Sequence, residues 1–268
     1  MKPISNAPHI TSRNNDAIAF AAKLKEKKYR RESGLFVFEG IKLLEDAAKS
    51  GTVLHAVYVT EKAYSHFEKE LDACGVESRL TVVSDPVYEK LSLENAPQGV
   101  FCVARLPEKR KEAAADGFSV LLDHVGDPGN LGAVLRSADA FGARAVYLSE
   151  GCADLYNPKT VRACMGSLFR VYTETDCDLV PMIGELRKAG QSVYAAMLDE
   201  SAKRPSELGD LSVSAVVIGN EGSGVTDEVR AACTGAVYIP MRENGPQSLN
   251  ASVAAGILMW ECFRNTKS

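Results

Sequence analysis

The chain has 268 residues, 46% of them hydrophobic and 25% charged, with a formal net charge of −4. That is the balance of a folded globular protein of one large domain or two ordinary ones, and any nucleic-acid surface on it has to be local. No apolar run approaches the length of a membrane helix, and the start, MKPISNAPHITSR, is too polar for a secretory signal, so a cytoplasmic location is expected, with no membrane partner. Seven scattered cysteines form no CxxC or CxxH pair, which argues against a zinc site or a disulfide scaffold; no metal is expected.

Residues 1–10 read as a loose leader. From Asn15 to Arg31 the apolar positions Ile18, Phe20, Ala21 and Leu24 recur at near-helical spacing. The end of that segment carries Lys23, Lys25, Lys27, Lys28, Arg30 and Arg31 against Glu26 and Glu32. It is either a solvated helix face or a phosphate-contacting surface with Tyr29 available for stacking.

Strands are expected over Leu35–Glu39, Val53–Thr60, Leu80–Val83 and Val100–Arg105, with helices over Ile41–Lys49 and Glu61–Cys74 between them. His55 falls within a strand and His66 on a helix, where a structural role is the simpler account. Pro107–Gly117 is charged, alanine-rich and without a large apolar residue, hence a linker. The expected division is a small α/β domain (1–107), a linker (108–117) and a second domain (118–268).

The second domain opens with a strand, Phe118–Asp123, and a turn around Pro128 and Gly129. Asn130 is a candidate N-cap for a helix over Leu131–Phe141. GDPGNLG has neither the dinucleotide spacing G-x-G-x-x-G nor the Lys-Ser/Thr pair of a Walker loop, which counts against a nucleotide-dependent oxidoreductase. Further strands are expected at Ala145–Leu148, Leu168–Tyr172, Ser192–Met197, Ala215–Ile218 and Ala236–Ile239. Helices are expected from Tyr156, over Leu179–Ala189 and over Ala251–Trp260. Such alternation implies a largely parallel sheet with helices on both faces, and a ligand crevice at its strand ends.

Three stretches carry a family likeness. Asn130 to Gly142 with Arg136, Ile218-Gly219-Asn220-Glu221-Gly222-Ser-Gly224, and Ile239-Pro240-Met241 followed by Ser248-Leu249-Asn250 resemble, in order and spacing, the three signature motifs of the SpoU/TrmH-type RNA ribose 2′-O-methyltransferases. Arg162 to Phe169 resembles an element recurring between the first two motifs. Ile10 to Asn15 and Gly34 to Gly40 resemble the family's accessory RNA-binding domain. The likeness covers nearly the whole chain, departing from the common pattern at Cys164 and Ala251.

The resemblance implies a C-terminal trefoil knot, a homodimer formed by the catalytic domains, and S-adenosylmethionine as methyl donor. It assigns the cofactor to Gly219, Ile239 and Leu249, with the Met197 and Met241 neighbourhoods. It assigns catalysis to Arg136, oriented together with the ribose by Asn130, Glu221, Ser248 and Asn250. A guanidinium is almost always protonated, so Arg136 is expected to stabilise charge and grip phosphate rather than act as base. Each of the orienting residues has an alternative as helix cap or loop anchor, and Ile239 and Leu249 as core. The RNA surface would be Lys27, Lys28, Arg30 and Arg31, and the expected substrate ribosomal RNA. A binding-only relic of the same fold is the other reading.

Overall fold

The computed structural model describes residues 7–107, 117–245 and 248–264. They fall into two compact units, Met1–Glu108 with Tyr156–Phe169, and Lys109–Leu155 with Arg170–Ser268. The expected linker lies almost wholly outside the described residues.

The N-terminal unit begins with a two-residue strand, β1 (His9–Ile10), which pairs in parallel with β4 (Leu80–Val83), so the expected leader is partly sheet. Its first helices are α1 (Asp16–Lys23), capped by the Asn15 side chain, and α2 (Lys27–Ser33), closed by left-handed Gly34. The single helix expected over Asn15–Arg31 is thus broken at Leu24–Glu26. Then follow β2 (Leu35–Glu39), α3 (Ile41–Lys49), β3 (Leu54–Thr60), α4 (Glu61–His66), α5 (Glu68–Ala73), β4, α6 (Asp85–Leu91) and β5 (Val100–Arg105). The mixed sheet has the order β1-β4-β3-β5-β2.

Helix α8 (Pro158–Ala163) packs in this unit although it follows the linker in sequence. Tyr156 and Phe169, which flank it, set their rings 5.0 and 6.4 Å from that of Phe36, and Phe169 lies 5.4 Å from Phe38. Val161 is buried among the same residues, and Arg162 pairs with Glu94 at 2.8 Å. The boundary read from the sequence keeps 156–169 with the C-terminal domain. Packing groups it with the N-terminal sheet, because these aromatic faces bury themselves on β2.

The C-terminal unit is built on β6 (Ser119–Leu122), α7 (Pro128–Ala140), β7 (Ala145–Ser149), β8 (Tyr172–Cys177), α9 (Leu179–Lys188), β9 (Ser192–Ala196), β10 (Ser214–Ile218), α10 (Asp227–Ala232), β11 (Gly235–Val237) and α11 (Ala251–Arg264). Its six strands run in the order β11-β9-β10-β6-β7-β8, and all described pairings are parallel. This agrees with the expected parallel sheet. The strands at its centre are covered on both faces and read as unbroken apolar runs, as in β10, SAVVI, where every residue is buried. The strand expected at Leu168–Tyr172 is instead a 3-10 turn, Ser167–Phe169, followed by β8. β8 reads YTETDC and lies at the sheet edge, where one face stays wet and polar residues are tolerated.

Candidate active site at the C-terminal strand edge

Four strand ends, those of β11, β9, β10 and β6, sit side by side in the sheet order. β10 leaves the sheet at Ile218 and enters a loop that folds back on itself. Asn220 N–H donates to Gly224 O at 3.0 Å and Gly224 N–H to Asn220 O at 2.9 Å, while Asn220 Oδ1 accepts from the N–H groups of Gly222 and Ser223. A Cβ at residue 219 would overlap the carbonyl of Gly224 and the nitrogen of Val225, so only glycine permits this close return. Gly224 itself has φ +72, the left-handed region that glycine enters without penalty.

β6 leads through Asp123–Gly126 into α7. The N-cap of α7 is Asp127, whose Oδ1 accepts from Asn130 N–H at 2.7 Å, and Pro128 occupies the first helical position. Asn130 is therefore the third helical residue, not the cap expected from sequence, and the helix runs Pro128–Ala140. With Asp127 capping, the Asn130 side chain is released for other work. Its Nδ2 donates to Glu221 Oε1 at 2.8 Å, and its Oδ1 accepts from Asn250 Nδ2 at 3.0 Å. Asn250 in turn caps α11, its Oδ1 accepting from Ser252 N–H at 3.0 Å and Val253 N–H at 3.3 Å. One amide thus joins three segments distant in sequence.

Partial burial opposes ionisation of Glu221. The hydrogen bond from Asn130 and those from the backbone N–H groups of Glu221, Gly126 and Asp127 outweigh it and hold the carboxyl below its ordinary value of 4.5. Glu221 is an anion at neutral pH.

Arg136 lies on α7, six residues and roughly 9 Å along the axis past Asn130. It is exposed and makes no hydrogen bond or ion pair among the described residues. Ser248 is exposed and likewise without a hydrogen-bond partner among them. The structure brings Asn130, Glu221 and Asn250 into contact, and leaves Arg136 and Ser248 outside that chain of bonds.

Met197 and Gly219 directly follow β9 and β10, and Ile239 follows β11 by two residues. Met197 N–H donates to Val237 O at 3.0 Å, tying the ends of β9 and β11. Met197, Ile239, Met241 and Leu249 are all half-buried, neither absorbed by the core nor fully exposed. Apolar faces without charge, beside a strand end that bears no side chain, have the chemistry to take a flat heterocycle. Among the described residues no group of three His, Cys, Asp or Glu side chains could hold a metal ion.

On the N-terminal unit, Lys27, Lys28 and Arg31 are exposed. Arg30 is not: it is 3% exposed, and its Nη1 donates to Leu24 O at 2.8 Å and Lys25 O at 2.7 Å, carbonyls of the break that follows α1. A guanidinium spent on orphan helix carbonyls cannot face solvent, so Arg30 leaves the expected RNA surface. Lys25 is withdrawn as well, donating to Lys90 O and Ser92 O, and burial lowers its pKa against the opposing pull of Glu39.

Sequence reasoning passed over Asp123, His124, Asp127 and Thr226. The Asp127-Pro128 pair is a recognisable cap signal, since Pro favours the first helical position. Asp123 gave no such signal beyond being an acid at the end of an apolar strand. A cleft of about 610 Å³ beside Asp123, His124 and Thr226 opens at the ends of β6, β7 and β8, and none of the sequence-predicted site residues lines it.

Fold and site together give an α/β protein with a bonded polar cluster and half-buried apolar side chains on one edge of a parallel sheet, where enzymes of this architecture place their chemistry. Residues 117–260 match the SpoU rRNA Methylase family, and residues 15–102 the MRM3-like substrate binding domain. The chain is 32% identical over 251 residues to the 23S rRNA (guanosine(2553)-2'-O)-methyltransferase RlmP of Bacillus subtilis, covering 94% of this chain and 97% of that one. It is 30% identical to the 23S rRNA (uridine(2479)-2'-O)-methyltransferase of Streptomyces viridochromogenes, with 96% and 92% covered. The structure of an AdoMet-bound rRNA methyltransferase from Sinorhizobium meliloti superposes with a TM-score of 0.84 at 27% identity, covering 98% and 99%. The chain belongs to the SpoU rRNA methylase family.

Proposed function

We propose that the chain methylates the 2′-hydroxyl of a ribose in ribosomal RNA, with S-adenosylmethionine as donor. The observation that carries this reading is the Glu221–Asn130–Asn250 chain, which joins the three motif-bearing segments at the strand edge. Met197, Gly219, Ile239, Met241 and Leu249 would hold the cofactor, which supplies a methyl group already activated on a sulfonium. The protein's task is then alignment and charge stabilisation. Asn130 and Asn250, held rigid by each other and by the α11 cap, orient the ribose with Ser248. Arg136, exposed and unengaged among the described residues, grips the adjoining phosphate and stabilises the negative charge developing on the ribose oxygen as its proton passes to solvent water.

Residues 1–107 serve as the RNA-binding domain and 118–268 as the catalytic domain. Lys27, Lys28 and Arg31 contact phosphates, and Tyr29, with Lys23 and Lys28 at 5.5 and 5.9 Å from its ring centroid, braces them. RNA of the large subunit is the substrate, by analogy with the two relatives that act on 23S rRNA. The C-terminal segment is threaded as a trefoil knot, which would hold the β10 and β11 loops around the cofactor. A homodimer forms through the catalytic domains, supported by an apolar stripe on α11, where Val253, Ile257, Trp260 and Phe263 are exposed. The seven cysteines are all free thiols, which suits the cytoplasm.

Mapping ribose methylation across total RNA from cells with and without the gene tests this. One rRNA site should lose its methyl group in the deletion and regain it on complementation. Identical maps would end the proposal.

A further inference from the structure

Asp123 directly follows β6 and is 1% exposed, a carboxylate withdrawn from water. Such a group is tolerated only when its oxygens are satisfied. Here Oδ2 accepts from Thr226 N–H at 2.8 Å and Thr226 Oγ1 at 2.9 Å, and Oδ1 is bonded to His124 Nδ1 at 2.7 Å. The Asp123 N–H donates to Ile218 O at 2.8 Å. One residue thus holds both ends of the loop that carries Glu221, at Ile218 and at Thr226.

Two local costs are accepted to make this contact. Thr226 is the N-cap of α10, yet its side chain makes no capping bond; the hydroxyl is turned to Asp123 instead. His124 has φ +58, a conformation that non-glycine residues rarely adopt. It is held there by three bonds: its ring to Asp123, its N–H to Ser149 Oγ at 2.9 Å, and its carbonyl from Asn220 Nδ2 at 2.8 Å. Glu221 then reaches the same loop through the N–H groups of Gly126 and Asp127.

We propose that Asp123 and Thr226 are positioning residues for methyl transfer, setting the register of loop 219–226 against loop 123–127 so that Glu221 arrives at Asn130. The inference rests on the methyltransferase reading. It extends that reading to a pair that touches neither cofactor nor ribose and acts through Glu221.

Thr226→Val removes the hydroxyl and keeps the shape and the backbone N–H. The expected result is a kcat at least about tenfold lower in protein that is still folded at the assay temperature, with S-adenosylmethionine affinity close to wild type, and restoration by Thr226→Ser. Because the shifted loop weakens the Asn130 bond, the Glu221 carboxyl, followed by ¹³C NMR, should titrate closer to its ordinary value in Thr226→Val. Asp123→Asn should move both readouts the same way. An unchanged kcat and Glu221 midpoint would overturn the inference, as would an activity loss matched by equal losses of cofactor binding and stability. If wild-type protein methylates no rRNA, the reaction reading falls, while the Glu221 midpoint still decides the register by itself.

Discussion

Asn130 and Glu221 stand 91 positions apart, yet Asn130 Nδ2 meets Glu221 Oε1 at 2.8 Å. The bond needs a donor facing an anion. Asn130→Asp would set a second carboxylate against the first, and like charges at this separation cannot both ionise comfortably. In wild type the Glu221 carboxyl titrates below 4.5, so whatever stability its ionisation contributes is fully present above the unfolded value. That contribution is lost as pH falls through the lower folded value. Asn130→Asp should raise the Glu221 midpoint in ¹³C NMR and cut methyl transfer more deeply than Asn130→Ala. A wild-type midpoint above 4.5 would refute the anion-holding arrangement.

Arg136 should separate binding from chemistry. It is exposed on α7, and its assigned role lies on the acceptor side. Arg136→Ala is expected to leave the dissociation constant for S-adenosylmethionine within a few-fold of wild type and to lower kcat by about 10²–10³, the usual loss when one charge-stabilising donor is removed. Calorimetry and single-turnover rates measure the two quantities. Equal activity in the mutant would remove Arg136 from the mechanism.

Gly219 admits no side chain, because a Cβ would overlap the backbone of Gly224 and Val225. Gly219→Ala must push the returning loop away from β10, a cost near the upper end of the usual overpacking range, about 3 kcal/mol. The melting temperature should fall by several degrees and cofactor binding weaken with it. Gly222→Ala is the control, since a Cβ there meets only Asn220 Oδ1 at an ordinary 3.5 Å. Thermal melts of the two variants that coincide would contradict the steric account.

The strands of the central sheet were legible because burial on both faces selects for apolar residues, as in β10 and β6, where a single leading serine precedes an unbroken apolar run. The motif residues were legible as residue types at fixed spacing. Three things were not. Asp127 and Asn130 can both cap a helix, and only the folded bonds show which one does and which is left for Glu221. Tyr156–Phe169 sits between two strands of one sheet in sequence, and no local pattern says that its aromatic residues bury on another. Arg30 looks like any cation in a basic run, because the broken helix that supplies its carbonyl partners is a tertiary outcome.

The basic run therefore divides in two. Replacing Lys27, Lys28 and Arg31 together by Ala should weaken rRNA binding and reduce the slope of log affinity against log salt by about 0.7–0.9 for each phosphate that is no longer neutralised. The melting temperature should hardly move, since all three side chains are exposed. Arg30→Ala should do the reverse, lowering stability by stranding the carbonyls of Leu24 and Lys25 while leaving the salt slope of the folded fraction unchanged. Filter binding over a salt series, alongside thermal melts, reads both. A triple variant with the wild-type slope would return Lys27, Lys28 and Arg31 to an ordinary solvated face.

The face of α11 gives the last test. Val253, Ile257 and Trp260 recur at helical spacing and remain exposed, and Trp260, Phe263 and Phe141 gather with ring centroids 5.8–5.9 Å apart. Trp260 is 48% and Phe263 40% exposed, so a contiguous aromatic surface faces water. Such a surface marks an interface more often than bare solvent contact. The opposite side of α11, with Ala255, Leu258, Met259 and Cys262, is buried, so the helix has no spare face to turn. Wild-type protein should sediment at twice its 28.8 kDa. Trp260→Glu, which buries no charge in the monomer, should sediment at that single mass with its circular dichroism unchanged. If wild type already sediments as a monomer at micromolar concentration, the stripe is not a dimer interface, and the homodimer proposed for the catalytic domains falls with it.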